Sequence, residues 1–439
     1  MDEKPEKAGF YGWKNVVLWC VIIGMNGFGL YSYTIVFPSM LKELGWDRGP
    51  ASLALTIMII MIGALSPVVA LSINRFGNKK TIRFGLIGVM VSMILVGTIV
   101  TEIWMWTLIW GIMVPFGFLF GGFIPVFSNA MLWFNIRRAT VIGILATALA
   151  VGGFISQPFC TWLIGITGAW QAGWFAVAAA GALAFIVSFF LVEKPEDIGQ
   201  FPDGIDPADI KSASEEKTTA PKTYRSSVDW PLKEIVKTPV IWLLVLVTIG
   251  YMQALILVTT HGVMHFTDLG FTSMQAASVM SVTILFSGLA GLPMGALGDR
   301  IEPRWITSAA LFVMLLMFLG LWKAPSLWSL MAAGSVFGFC YGTINVVLPA
   351  LEGNYYGPES FPQINAILGP IGVVGTSIVP FVAGNIVDKT GSYDLAFIMV
   401  GFVLLGGFIC ALLLKPPVPQ FAVPGANPKP SQAAYDEKL

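Results

Sequence analysis

Apolar runs of about 20 residues recur along nearly the whole chain, each long enough to cross ~30 Å of hydrocarbon. In lipid the backbone polar groups must be satisfied internally, and continuous apolar runs of this length satisfy them as helices. The rest of the composition agrees. Of 439 residues, 56% are hydrophobic and 11% charged, with mean hydropathy +0.77, against about 25% charged in soluble proteins. The runs predict spans near 14–38, 51–73, 81–101, 104–133, 139–166 and 170–192, then near 238–266, 275–297, 304–322, 326–351, 363–388 and 393–415. The first run, Val16 to Phe37, is too long for a cleaved leader and reads as a retained span. Formal net charge is zero, which argues against nucleic acid as a partner. Cys20, Cys160, Cys340 and Cys410 fall inside apolar runs and read as reduced core residues.

The spans form two sets of six. Residues 1–192 make an N-terminal bundle and 238–415 a C-terminal one, with a polar linker over 193–237 and a polar tail over 416–439. Linker and tail carry too few apolar residues to bury and are expected to be solvated. Placing both termini inside leaves only Lys42, Arg48, Lys323 and Lys389, of 25 lysines and arginines, on the outer side. That bias orients both termini toward the cytoplasm of a multi-pass inner (plasma) membrane protein. The sets also repeat each other. Asn74-Arg75 recurs as Asp299-Arg300, Leu145 to Gly168 recurs as Leu368 to Gly391, and Gly117-Phe-Leu-Phe-Gly121 parallels Gly338-Phe-Cys-Tyr-Gly342. A repeat of six-span units places a solute site between the halves, near mid-membrane.

Two loop sequences carry a family resemblance. GALGDRIEPR (Gly295 to Arg304) is close to the G-x-L-x-D-R-x-G-R-R loop of the major facilitator superfamily, and ALSINRFGNKK (Ala70 to Lys80) is a decayed copy with Asn74 in place of Asp. More narrowly, FYGWKNVV (Phe10 to Val17), LKELGWDR (Leu41 to Arg48), WFNIRRATVIGILATALAVGGFISQP (Trp133 to Pro158) and GNIVDKTGSYDLAF (Gly384 to Phe397) resemble the bacterial branch related to monocarboxylate and oxalate/formate carriers. The resemblance implies an all-α membrane fold of twelve helices in two pseudo-symmetric six-helix bundles, a secondary carrier and not an enzyme, working as a monomer. Two departures bear on cargo. Gly291 stands where carboxylate carriers of this branch place an arginine in helix 8, and apolar Ile35 lies near the position of the helix 1 lysine that some members carry.

Ionisable groups inside a membrane usually mark function, because burying a charge there costs at least ~2.5 kcal/mol. Here they are scarce. Glu102, Asp388 and Glu352 read as lying at span ends, and Lys14 at the cytoplasmic lip of helix 1. His261 and His265 lie four apart on one face of helix 7, and their ordinary titration range suits proton coupling, with His261 the deeper candidate. Interfacial hydrogen bonding is the plainer alternative for both. In the superfamily helices 1, 4, 7 and 10 line the cavity, which marks Asn26, Tyr31 and Tyr33, then Gln253, Tyr341 and Asn345, as solute-facing candidates against an alternative of interhelical hydrogen bonds. Asn129 and Gln157 read as structural. The loop residues Asn74, Arg75, Asp299, Arg300 and Arg304 are expected to cap helix ends and latch the cytoplasmic face during gating, with positive-inside anchoring as the alternative. Tryptophans such as Trp13, Trp46, Trp104, Trp170 and Trp328 suggest interfacial belts.

No Walker-type loop, metal-ligand spacing or paired intramembrane carboxylates are found in the sequence, so no metal or cofactor is expected. The first expectation is an alternating-access carrier of a small monocarboxylate such as lactate or pyruvate, coupled to protons through His261. The alternatives are a carrier or exporter of a neutral or lipophilic compound, which an uncharged cavity suits equally, and a non-transporting solute sensor on the same fold.

Overall fold

A computed structural model describes residues 10–134, 138–205, 224, 226, 228, 230–298, 300–357 and 360–418. Eleven of its helices are long and apolar enough to cross a membrane. In chain order the N-terminal half has α1 (Gly12–Leu44), α2 (Arg48–Phe76), α3 (Asn78–Ile99), α4 (Ile103–Trp133), α5 (Arg138–Thr167) and α6 (Gln171–Ser188). The C-terminal half has α7 (Pro239–Asp268), α8 (Ser273–Leu289, continued by Gly291–Gly298), α9 (Pro303–Trp322), α10 (Leu327–Tyr356), α11 (Phe361–Ser377, continued by Val379–Thr390) and α12 (Asp394–Leu413). The twelfth helix, α8, is divided at Ala290, and its first part, Ser273–Leu289, is an apolar helix of 17 residues.

Local chemistry explains the ends. Thr272 and Gln275 form a reciprocal capping box at the start of α8, and Ser326 with Ser329 forms one at the start of α10. Gly77 joins α2 to α3 with φ +82°, a region closed to most side chains. Its turn aims the first N–H groups of α3 at Glu193, whose carboxylate accepts from Asn78 N at 2.6 Å and Lys79 N at 2.9 Å. An anion at a helix N-terminus satisfies donors that have no partner in the helix itself.

Within each half, helices pack through close backbone approaches. A Cβ on Gly338 or Gly342 of α10 would meet the Thr283 or Ser287 carbonyl of α8, and one on Gly117 or Gly121 of α4 would meet the backbone of α3. Between the halves, α5 packs on α8, α2 on α11 and α1 on α7. The N-terminal core holds a stack of Tyr33, Phe37, Trp106, Trp110 and Trp174. Trp13, Trp104 and Trp328 are exposed as an interfacial belt requires, but Trp170, expected in that belt, is buried, and Trp19, Trp106, Trp110, Trp133 and Trp174 are fully buried. For three of these the indole N–H finds an internal acceptor, the Asn129 amide for Trp19, the Ala51 carbonyl for Trp106 and the Val192 carbonyl for Trp133. That pairing makes burial affordable in hydrogen-bond terms.

Candidate transport site

An even number of spans puts the start of α1, the linker and the end of α12 on one face of the bundle, here the linker face. The turns α1–α2, α7–α8 and α11–α12 lie on the opposite face. The candidates Tyr31, Tyr341 and Asn345 meet between the halves. The Tyr31 ring of α1 packs on Gly153 of α5 beside Ile284 of α8, within electrostatic reach of the Tyr341 hydroxyl on α10. Tyr341 and Asn345 are one turn apart on α10. The Tyr251 hydroxyl of α7 donates to Asn345 Oδ1 at 3.4 Å, and its ring lies 6.0 Å from that of Tyr341. These groups offer hydroxyl and amide donors with no fixed charge among them.

Other candidates go elsewhere. Asn26 donates to the Ile22 carbonyl of its own helix and packs on Gly122 of α4, inside the N-terminal half. Gln253 donates to the Gly375 carbonyl at 2.6 Å, close to the interruption of α11 at Ile378 ahead of Pro380. Gln157 holds Tyr31 O and accepts from Thr34, and Asn129 donates to Glu193 O, both structural as expected.

His261 is 1% exposed and lies away from the tyrosine cluster, toward the opposite face. The Pro380 carbonyl can only accept, so Nε2 donates to it at 2.9 Å. Nδ1, 3.0 Å from Tyr393 Oη, then accepts the tyrosine proton in the neutral ring. Tyr393 Oη in turn accepts from Arg48 Nη1 at 3.1 Å. Arg48 belongs to the N-terminal half and Tyr393 to the C-terminal half, so this chain joins them. Arg48 also forms a bidentate pair with Asp268 at 2.7 and 3.2 Å. Asp388 of α11 accepts from Arg48 N at 3.1 Å and Gly49 N at 2.6 Å, capping α2 from the other half. Gly384 makes room for this contact, packing directly against Gly49. Among the described residues, one further hydrogen bond joins the halves, from Ser281 Oγ to the Phe154 carbonyl. A cavity of about 960 Å³ on the opposite face, between α1, α5, α7 and α8, is lined by Lys42, Trp46, Trp170, Met264 and Arg48. His265 donates through Nε2 to the Trp322 carbonyl at 3.1 Å and stacks near Phe397, inside the C-terminal half.

On the linker face Asn74, Arg75 and Arg300 are exposed, and Asp299 lies outside the described residues. Arg304 is 5% exposed and donates to the Leu414 carbonyl at 3.0 Å, joining α9 to the end of α12 within one half. Burial pushes the neighbouring Glu302 carboxyl above its ordinary range, while the Tyr224 N–H and the Arg304 charge pull it down. The sequence did not mark the roles of Glu193 and Tyr393, while Asp388, expected at a span end, lies in the last turn of α11. Asp388 and Tyr393 both sit in the Gly384 to Phe397 stretch that carried the resemblance, the one signal that could have pointed to them. Glu352, expected at a span end, is 4% exposed inside α10.

The family model of the Major Facilitator Superfamily matches residues 19–287 and 263–434. Monocarboxylate transporter 13 of Bos taurus is 24% identical over 97% of this chain and 94% of its own length. Monocarboxylate transporter 9 of Mus musculus is 30% identical over 31% of this chain and 28% of its own length. Among solved structures, the nucleoside transporter NupG superposes with a TM-score of 0.69 at 11% identity, over 91% of this chain and 99% of that one. At that identity the likeness concerns the fold.

Proposed function

The chain belongs to the major facilitator superfamily, and from that premise we propose that it is a proton-coupled secondary carrier of a small monocarboxylate, such as lactate or pyruvate, working by alternating access. The observation that carries this reading is the uncharged donor cluster of Tyr31, Tyr341, Asn345 and Tyr251 at the junction of the halves. Such donors bind a carboxylate, or its neutral acid, without a buried arginine. The near full-length relative among the monocarboxylate transporters supports the cargo class.

The halves, 1–192 and 238–415, rock about this cluster as a monomer, with the linker face cytoplasmic by the positive-inside argument. Arg48, Asp268, Asp388 and Tyr393 then form the outer gate. His261 is the gate's proton sensor. When protonated, its Nδ1 donates to Tyr393 instead of accepting, and a second positive charge sits beside Arg48, so protonation from the outer cavity loosens the gate. Asn74, Arg75, Asp299, Arg300 and Arg304 serve the cytoplasmic gate and its anchoring.

Uptake of radiolabelled lactate and pyruvate into proteoliposomes, with and without an inward proton gradient, tests this. Gradient-driven accumulation that His261→Ala loses is the expected result. A folded preparation that moves neither acid would sink the monocarboxylate reading. Gly291, standing where an arginine is usual in carboxylate carriers, favours a second reading in that event, a neutral or lipophilic solute.

A further inference from the structure

We infer that Glu352 is a proton-binding residue of the carrier, exchanging its proton with solvent on the linker face and coupled through α10 to the solute cluster. This inference rests on the transport reading. Glu352 is the one acidic side chain among the described residues buried below a tenth of its surface. Its carboxyl has no ion pair and no hydrogen bond among them; the three salt bridges lie at Arg48, Lys237 and Lys323. An uncompensated carboxylate is costly in such a place, which favours the neutral acid.

Its position ties it to the solute cluster. Tyr341, Asn345 and Glu352 are spaced four and seven apart, so at about 100° per residue all three fall within roughly 40° of one line along α10. The line runs from the junction of the halves toward the linker face, with Glu352 two turns beyond Asn345. The Tyr251 hydroxyl, the group that donates to Asn345, lies within electrostatic reach of Glu352. On its own helix it acts on Tyr356. No charged group of α8, α9 or α11 acts on it among the described residues. At the linker end of the helix, the Tyr224 ring meets that of Tyr355 edge to face at 5.9 Å and Ser226 N donates to the Asn354 carbonyl, closing the surface over this turn. Water that reaches Glu352 when the helix packing around this turn loosens takes the proton as hydronium and leaves the carboxylate solvated. Burial on closing requires the proton back. A change of charge at Glu352 is felt at Tyr251, and through its hydroxyl at the amide that faces solute.

Two measurements on Glu352→Gln and Glu352→Asp decide it. The first is pH-difference infrared spectroscopy of the full chain in lipid nanodiscs. A carboxylic acid carbonyl band that titrates in the wild type, is lost in Glu352→Gln and shifts in Glu352→Asp is expected. The absence of a Glu352-dependent band overturns the inference, whatever solute the protein carries. The second compares gradient-driven accumulation with solute counterflow, which needs no net proton movement. Glu352→Gln is expected to lose accumulation and keep counterflow, with Glu352→Asp restoring accumulation. Accumulation retained by Glu352→Gln also overturns it. If the wild type moves neither lactate nor pyruvate, the cargo reading fails and the infrared result alone decides Glu352.

Discussion

Tyr393 shows how one hydroxyl can hold two halves of a membrane protein. It accepts from Arg48 and donates to His261, and the His261 ring has its other nitrogen on Pro380. Arg48 and Asp268 are partly exposed, and pairs of that kind contribute only about 0–1 kcal/mol. The buried His261 end is different, because a buried acceptor left without a donor costs about 1–3 kcal/mol. Tyr393→Phe keeps the ring and removes the bridge, so it is expected to lower stability by about 1–3 kcal/mol, while Asp268→Asn lowers it by less than about 1 kcal/mol. Thermal unfolding in detergent compares the two, and equal losses would place the strength of the network in the ion pair instead. His261 stood out in the sequence as one of two histidines. Its partners did not, since Tyr393 and Pro380 lie 132 and 119 residues away, and only the Gly384 to Phe397 resemblance touches Tyr393.

The helices themselves were legible because each is an apolar run, and the twelve expected spans correspond to α1–α12 within a few residues. What runs cannot show is which face meets which neighbour. The Gly117–Gly121 and Gly338–Gly342 pairs look equivalent in sequence, yet the first packs on α3 and the second on α8. A π-helical turn at Ile109–Met113 interrupts α4 ahead of the first pair, whereas α10 runs as one α-helix from Leu327 to Tyr356. One extra residue turns the helix beyond it by about 100°, and nothing in the composition of that segment announces it. The superfamily resemblance together with depth singled out Tyr341 and Asn345, and equally Asn26, which packs on Gly122 where α4 breaks. The close approach on α10 makes a sharp prediction. Gly338→Leu puts a side chain into the Thr283 backbone, which no rotamer relieves, and is expected to abolish monodisperse folded protein in size-exclusion chromatography. Gly353→Ala, on the same helix with nothing within 4 Å of the new Cβ, is expected to behave as the wild type. If both variants elute alike, backbone contact between α8 and α10 is not what limits folding.

At the scale of the whole molecule, the halves are fastened unevenly. The hydrogen bonds from Arg48 and Gly49 to Asp268, Asp388 and Tyr393 all lie at the opposite face. Among the described residues the linker face has none between the halves. Its polar contacts, Glu193 on α3 and Arg304 on the end of α12, stay within one half. On the alternating-access reading proposed above, this fastening holds one side closed, and its loss shifts the population of the two arrangements rather than unfolding the protein. Arg48→Ala removes the guanidinium contacts to Asp268 and Tyr393 but keeps the backbone N–H groups that Asp388 accepts. Removal of about 1–2 kcal/mol favouring closure changes the ratio of the two arrangements by roughly 5- to 30-fold. Paired spin labels at Lys42 and Lys389, both exposed at the opposite face, report the change as a longer distance component. A second pair at Arg75 and Arg300, exposed on the linker face, is expected to gain a shorter one. The reciprocity is what identifies rocking, because loosening of one end alone would lengthen the first distance and leave the second as it was. If neither distance changes while the protein stays folded, Arg48 fastens nothing, and the backbone contacts of Asp388 with α2 and the glycine-lined packing of α2 on α11 hold that face shut by themselves.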